Sequence, residues 1–172
     1  MKTNTITIGI VTALVLASGA LFFVASDKDT NTEVVQSVTQ TKTAFADTRA
    51  VVYKSPTCGC CEGHADAMRE AGIDVEIVEM QSTELSFFKE DNGVPTNMQS
   101  CHTTILSKGD TEYVVEGHVP IEGMSKLITE QPDIAGIVLP GMPSGTPGMP
   151  GPKMGSYDVM TLEDEPKLYT SI

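Results

Sequence analysis

The chain has 172 residues, 40% of them hydrophobic and 20% charged, a balance that excludes wholesale disorder and suits one ordinary domain with added segments. Lys and Arg number 11 against 23 Asp and Glu, and the net charge of −12 argues against nucleic acid as a partner and against an anionic lipid surface. A metal ion or cationic partner stays compatible, although acidity of this kind equally serves solubility.

Residues 6–25, ITIGIVTALVLASGALFFVA, carry no charge and reach the roughly 20 residues needed to cross a bilayer as a helix. Lys2 precedes the run and Asp27, Lys28 and Asp29 follow it, so residues 1–26 read as a signal anchor or a signal peptide. The run is longer than a usual signal-peptide apolar region, and Val24-Ala25-Ser26 is a poor cleavage site. Ala44-Phe45-Ala46 has the small-x-small shape but lies far downstream, so the uncleaved anchor is favoured. Either reading puts residues 27–172 outside the cytoplasm, where idle cysteine pairs oxidise and retained thiols have a metal or redox partner.

Residues 27–48 are polar and Thr-rich and read as a flexible tether, with the domain starting near Arg49. Ala50-Val51-Val52-Tyr53 is a short apolar run that predicts a buried strand. Pro56 turns the chain, and Cys61, Ala65, Met68 and Ala71 fall at helical spacing within a helix over 58–72 that Gly72 stops. Val75 and Ile77 alternate with Asp74 and Glu76 in a second strand. A shorter helix covers Leu85 to Asp91, and Asn92-Gly93 ends it. Strands over Thr103 to Leu106 and Glu112 to Val115 flank the hairpin signal Lys108-Gly109-Asp110. Pro120 opens a third helix to Glu130, with Ile121, Met124, Leu127 and Ile128 on one face. The order β-α-β-α-β-β-α over 49–138 matches a thioredoxin-like α/β sandwich. Residues 139–172 then change character: Leu139 to Gly155 is almost wholly Pro, Gly and Met and forms no regular element, and Tyr157 to Leu162 offers a last strand. A loop of this length is usually functional or disordered.

Chemistry concentrates in Cys58-Gly59-Cys60-Cys61, three thiols in four residues. A packing cysteine gains nothing from such clustering, whereas a metal-binding or disulfide-exchanging thiolate does. Cys58 and Cys61 have C-x-x-C spacing at a helix start, where free N–H groups stabilise a thiolate. Cys60 would compete for every disulfide of that pair, a difficulty that metal binding does not share. Cys101 and His102 precede the third strand, on the side of a thioredoxin-like layer that faces the first helix, and His118 follows the fourth strand toward the same edge. His64, three residues after Cys61, falls on a neighbouring helix face, which favours an exposed position. Met142, Met149 and Met154 bring soft thioethers into the Pro/Gly loop, with packing onto the domain as the alternative role. Four cysteines, or three with a histidine, also satisfy tetrahedral zinc, yet Cys101 lacks the second nearby cysteine of a usual zinc knuckle.

Tyr53-Lys54-Ser55-Pro56-Thr57-Cys58-Gly59-Cys60-Cys61, Ser100-Cys101-His102-Thr103, Val114-Val115-Glu116-Gly117-His118-Val119-Pro120, and Leu139-Pro140-Gly141-Met142-Pro143 with Gly148-Met149 follow one another in order. Together they resemble the CopG-like family of bacterial metal-binding proteins, formerly catalogued as a domain of unknown function. The resemblance covers about residues 50–160 and implies a thioredoxin-like fold, a periplasmic or other extracytoplasmic location, copper binding and a role in copper resistance. It implies Cys58, Cys60, Cys61 and Cys101 as copper ligands and His102 and His118 as site residues, and it carries nothing over to His64, the anchor or the tether.

The expected function is copper handling at the bacterial inner membrane. A thiolate cluster would hold one or more Cu(I) ions, Met142 and Met149 would form a soft lid, and copper-efflux or copper-carrier proteins would be partners. Mixed thiolate and imidazole ligands extend this to a copper oxidoreductase. Two alternatives stay open: a thiol–disulfide oxidoreductase using Cys58 and Cys61, and a structural zinc module for interactions.

Overall fold

The computed structural model describes residues 44–172. The apolar run 6–25 and residues 27–43 of the expected tether lie outside the described residues. No described helix is long and apolar enough to cross a membrane. The chain forms β1 (Thr48–Lys54), α1 (Gly59–Ala71), β2 (Asp74–Glu79), α2 (Ser82–Asp91), a 3-10 turn (Thr96–Met98), β3 (His102–Lys108), β4 (Thr111–Glu116) and α3 (Ile121–Glu130). Three further strands follow: β5 (Gly136–Val138), β6 (Asp158–Thr161) and β7 (Leu168–Ser171). The first seven regular elements thus appear in the expected order, and the described residues form a mixed α/β architecture of one sheet and three helices. Phe45, counted with the tether by composition, is fully buried in the main core, so chain packing begins before Arg49.

The seven strands lie in the order β2-β1-β3-β4-β5-β6-β7. α1 carries β1 over to a parallel β2, and α3 carries β4 over to a parallel β5. The antiparallel pairings of β1 with β3 and of β3 with β4 join these two units back to back. Parallel neighbours need such helical crossovers, whereas Lys108 and Thr111 pair across a two-residue turn. β5 and β7 were not anticipated. β5 has only three residues, too few to display a period of two, and β7 is a half-exposed edge strand after an acidic stretch.

Alternation in the strands and helical spacing in α1 and α3 build the main core. Ala50, Val52, Leu106, Val115 and Ile137 on the sheet meet Ala65, Met68 and Ala71 of α1 and Met124, Leu127 and Ile128 of α3. The opposite face carries a second cluster of Val94, Met98, Val138 and Leu162, and Tyr53 stacks there on Phe88 of α2 at 4.1 Å between ring centroids. The sheet is therefore covered on both sides.

Residues 139–155 contain no helix or strand, in keeping with their composition, but they are folded against the domain. Tyr157 Oη donates to Ser144 O at 2.7 Å, and Thr146 Oγ1 donates to Pro143 O at 2.9 Å. Gly148 has φ +82 and packs its backbone on the first turns of α1. A Cβ there would overlap the Cys60 carbonyl oxygen and lie 2.5 Å from the His64 nitrogen, while one on Gly63 would lie 2.9 Å from Gly148 Cα. Only glycine meets both the left-handed backbone and the close approach. Gly148→Ala is accordingly expected to lift the loop from α1, read as faster proteolysis within residues 139–155 and faster amide exchange at the start of α1.

Candidate metal centre

α1 begins directly after Cys58, its N-cap residue, whose side chain makes no capping hydrogen bond. The preceding turn is closed by the Cys58 N–H donating to Ser55 O at 3.1 Å. The thiols of the first turn thus sit where unpaired N–H groups of the helix favour negative charge. Cys61 is buried, whereas Cys58 and Cys60 are half-buried. Cys58 and Cys61 are joined as a disulfide, and Cys60 and Cys101 are free thiols. Cys58 Sγ lies 3.6 Å from Cys60 Sγ.

The sheet supplies the other half of the site. Thr103 of β3 pairs with Glu116 of β4, so the residues just before β3 and just after β4 emerge side by side. Gly117 closes this corner with φ +79, and its N–H donates to His102 O at 3.0 Å. A Cβ on Gly117 would approach both Leu139 O and Ser100 Cβ to 2.9 Å. Cys101 Sγ consequently lies 3.0 Å from His118 Nε2 and 3.5 Å from His102 Nδ1. On the opposite sheet face the corner is pinned by a buried charge pair. Lys89 Nζ donates to Glu116 Oε1 at 2.7 Å and to Thr103 Oγ1 at 2.9 Å, Thr103 Oγ1 donates to Glu116 Oε2 at 2.6 Å, and the Ser100 N–H donates to Glu116 Oε1 at 2.6 Å.

All four cysteines and all three histidines of the chain converge here. The potential ligand atoms of Cys58, Cys60, Cys61 and Cys101 lie within 4.8 Å of one another, and so do those of Cys61, Cys101, His102 and His118. Cys61 and Cys101 belong to both groups. The outer group offers sulfur alone, and the inner one offers two sulfurs and two imidazole nitrogens, a donor chemistry that fits a soft or borderline metal ion.

His64 departs from the expected exposed position. It is fully buried, with Nδ1 2.7 Å from His102 Nε2 and Nε2 2.9 Å from Val119 O. The buried stripe of α1 runs Cys61, His64, Ala65, Met68 and Ala71, so the three-residue step from Cys61 was the signal for it. Of the loop methionines, Met142 and Met154 are exposed, at 55% and 80%, and Met149 is half-buried, next to the Gly148 contact with α1. The loop's direct contribution is main chain: His118 Nδ1–H donates to Pro147 O at 2.8 Å.

Burial disfavours charge on the three imidazoles and on the Cys101 thiol in the absence of metal. It lowers His64 from its ordinary 6.5 to about 4, with the neighbouring His118 a second cause. It holds His102 well below the usual range, with His64, His118 and Lys89 adding to the effect. His118 is lowered as well, by burial that outweighs its bond to Pro147 O. The Cys101 thiol is pushed up to about 11, first by burial and then by the Cys60 thiol beside it. A metal ion entering the site would have to displace the Cys101 proton, so binding is coupled to proton release.

A mixed α/β sheet that gathers cysteines and imidazoles at the ends of its central strands carries a cluster able to hold a soft metal ion. Residues 98–149 match the model of a family described as a protein of unknown function, DUF411. Two solved structures of a copper resistance protein, CopG, in form 1 and form 2, are similar to the chain at 32% sequence identity and a TM-score of 0.62. The match to form 1 covers 72% of this chain and 96% of that one, and the match to form 2 covers 73% and 98%. No curated protein matches the chain. The chain belongs to the CopG-like copper-resistance family.

Two outcomes follow for the metal-free, reduced protein. Lys89→Met leaves the Glu116 carboxylate buried without its cation and is expected to cost about 3–5 kcal/mol in urea unfolding. Histidines in an unfolded chain take up protons near pH 6.5, whereas His64 resists protonation until about 4, so its contribution is intact above 6.5 and is lost as the pH falls through that window. For His64 alone the loss amounts to about 3 kcal/mol, measurable as a falling urea midpoint.

Proposed function

We propose that the protein is an extracytoplasmic copper-handling protein in which Cys58, Cys60, Cys61 and Cys101 hold Cu(I) as cargo on a thioredoxin-like scaffold. The observation that carries this reading is the convergence of all four cysteines with His102 and His118 at one end of the central strands, in two ligand groups that share Cys61 and Cys101, with His64 packed behind them. Thiolates select Cu(I), and shared thiolates can bridge neighbouring ions, which supports a small multinuclear cluster. His102 and His118 add imidazole nitrogens, ligands that copper accepts in both oxidation states, so the same site suits interconversion of Cu(I) and Cu(II). Met142 and Met149 extend the soft character into the loop that packs against α1. The apolar run 6–25 would anchor the domain at the inner membrane, where copper-efflux or copper-carrier proteins would deliver or receive the ion.

The Cys58–Cys61 disulfide favours a second reading, thiol–disulfide exchange. Both readings involve the same redox step: two electrons and two protons convert the disulfide to two thiols. They differ in the use of Cys101. For copper, Cys101 is a ligand common to both groups. For exchange between Cys58 and Cys61 it is a bystander.

Anaerobic Cu(I) titration of the reduced full chain in detergent, against a chromophoric Cu(I) chelator, separates them. Cys101→Ser is expected to weaken Cu(I) binding by at least about tenfold, roughly 1.4 kcal/mol. Unchanged Cu(I) binding in Cys101→Ser, together with metal-independent turnover of a disulfide substrate, would establish the second reading instead.

A further inference from the structure

We infer that His64 is a positioning residue of the proposed copper centre, one that fixes the His102 imidazole with its proton on Nε2 and leaves Nδ1 as the donor nitrogen beside Cys101. The inference rests on the copper reading above for its consequence, but the hydrogen-bond chain stands without metal.

The direction of that chain follows from its end. Val119 O can only accept, so the proton of His64 sits on Nε2, 2.9 Å away. A neutral imidazole carries one N–H, which leaves His64 Nδ1 as an acceptor. The group facing it at 2.7 Å is His102 Nε2, which must therefore donate. His102 Nδ1 then keeps its lone pair and points to Cys101 Sγ at 3.5 Å. His118 reaches the same condition separately: its Nδ1–H donates to Pro147 O at 2.8 Å, and its Nε2 lone pair faces Cys101 Sγ at 3.0 Å. Two main-chain carbonyls thus set two imidazoles to present bare nitrogens to one thiol. His118 reads its carbonyl directly, whereas His102 reads Val119 through His64.

His64 itself is no ligand candidate, because both of its ring nitrogens are engaged and it belongs to neither ligand group. Outer partners that orient a ligating histidine commonly hold about 10–100-fold in metal affinity. His64 is also fully buried, and its ring lies 4.9 Å from that of His102 and 5.2 Å from that of His118, so its packing fixes the ring plane as well as the proton.

Long-range proton–nitrogen NMR of the reduced, metal-free full chain tests the assignment directly. The expected spectrum shows His64 and His102 protonated on Nε2 and His118 on Nδ1. A His102 proton on Nδ1 overturns the proposal, and this measurement decides it whether or not the protein later binds copper. The consequence is tested with two variants that both lose the bond to Val119 O. His64→Asn retains an acceptor oxygen at the Nδ1 position, whereas His64→Leu retains none. Cu(I) competition is expected to show His64→Leu weaker by about 10–100-fold and His64→Asn close to the unaltered chain. Equal Cu(I) affinity in the two variants overturns the positioning role and reduces His64 to a packing residue. Failure of the unaltered chain to bind Cu(I), with the expected imidazole protonation in place, counts against the copper reading alone.

Discussion

Three imidazoles packed with ring centroids 4.7 to 5.2 Å apart, all fully buried, impose the constraint on which the rest of the site depends. Charge on any one of them would be stranded away from water, and charge on two would repel, so each stays neutral and its ring proton must find an acceptor within the protein. The fold answers with main-chain carbonyls at fixed positions. Val119 O lies just before α3 and Pro147 O lies in the Pro/Gly loop, so a helix start and an irregular segment both become parts of the site. The loop needs no regular structure to do this. It needs only a close approach to α1, which Gly63 and Gly148 permit.

The second support lies across the sheet. Lys89 and Glu116 are a buried ion pair whose carboxylate also receives the Ser100 N–H, one residue before Cys101. A buried pair of this kind contributes little net stability compared with a well-packed apolar pair, because desolvation offsets most of the attraction. Its effect here is on geometry: the carboxylate fixes the main chain that delivers Cys101 and His102, from the sheet face opposite to the one that carries His64. The site is thus held from both faces of the sheet while its sulfurs lie at the ends of the central strands, where Cys58, Cys60 and Cys101 keep partial exposure.

That partial exposure matters for the chemistry proposed. A fully buried thiol cluster would be inert to exchange, and a fully exposed one would oxidise without selection in an oxidising compartment. The disulfide between Cys58 and Cys61 withdraws two of the four sulfurs, leaving Cys60 and Cys101 free. Metal capacity and thiol oxidation are therefore alternatives drawn from the same four atoms, and reduction of one bond restores the full set.

The cysteine-bearing helix start, the order of the first seven elements and the irregular Pro/Gly segment were legible in sequence, because each rests on local spacing. C-x-C-C declares its chemistry within four residues, and alternation or helical periodicity shows over six to thirteen. His102 was placed beside the cysteine cluster through its neighbour Cys101, and His118 through its position after the fourth strand. β5 and β7 were not, since a three-residue strand and a half-exposed edge have no period to read. His64 was placed on an exposed face because its partners, His102 and Val119, lie 38 and 55 residues away. The sequence by itself thus determined which atoms are available to a soft metal. Only the tertiary structure decided which nitrogens are bare, because a histidine's proton is assigned by whichever acceptor the folded chain brings to it.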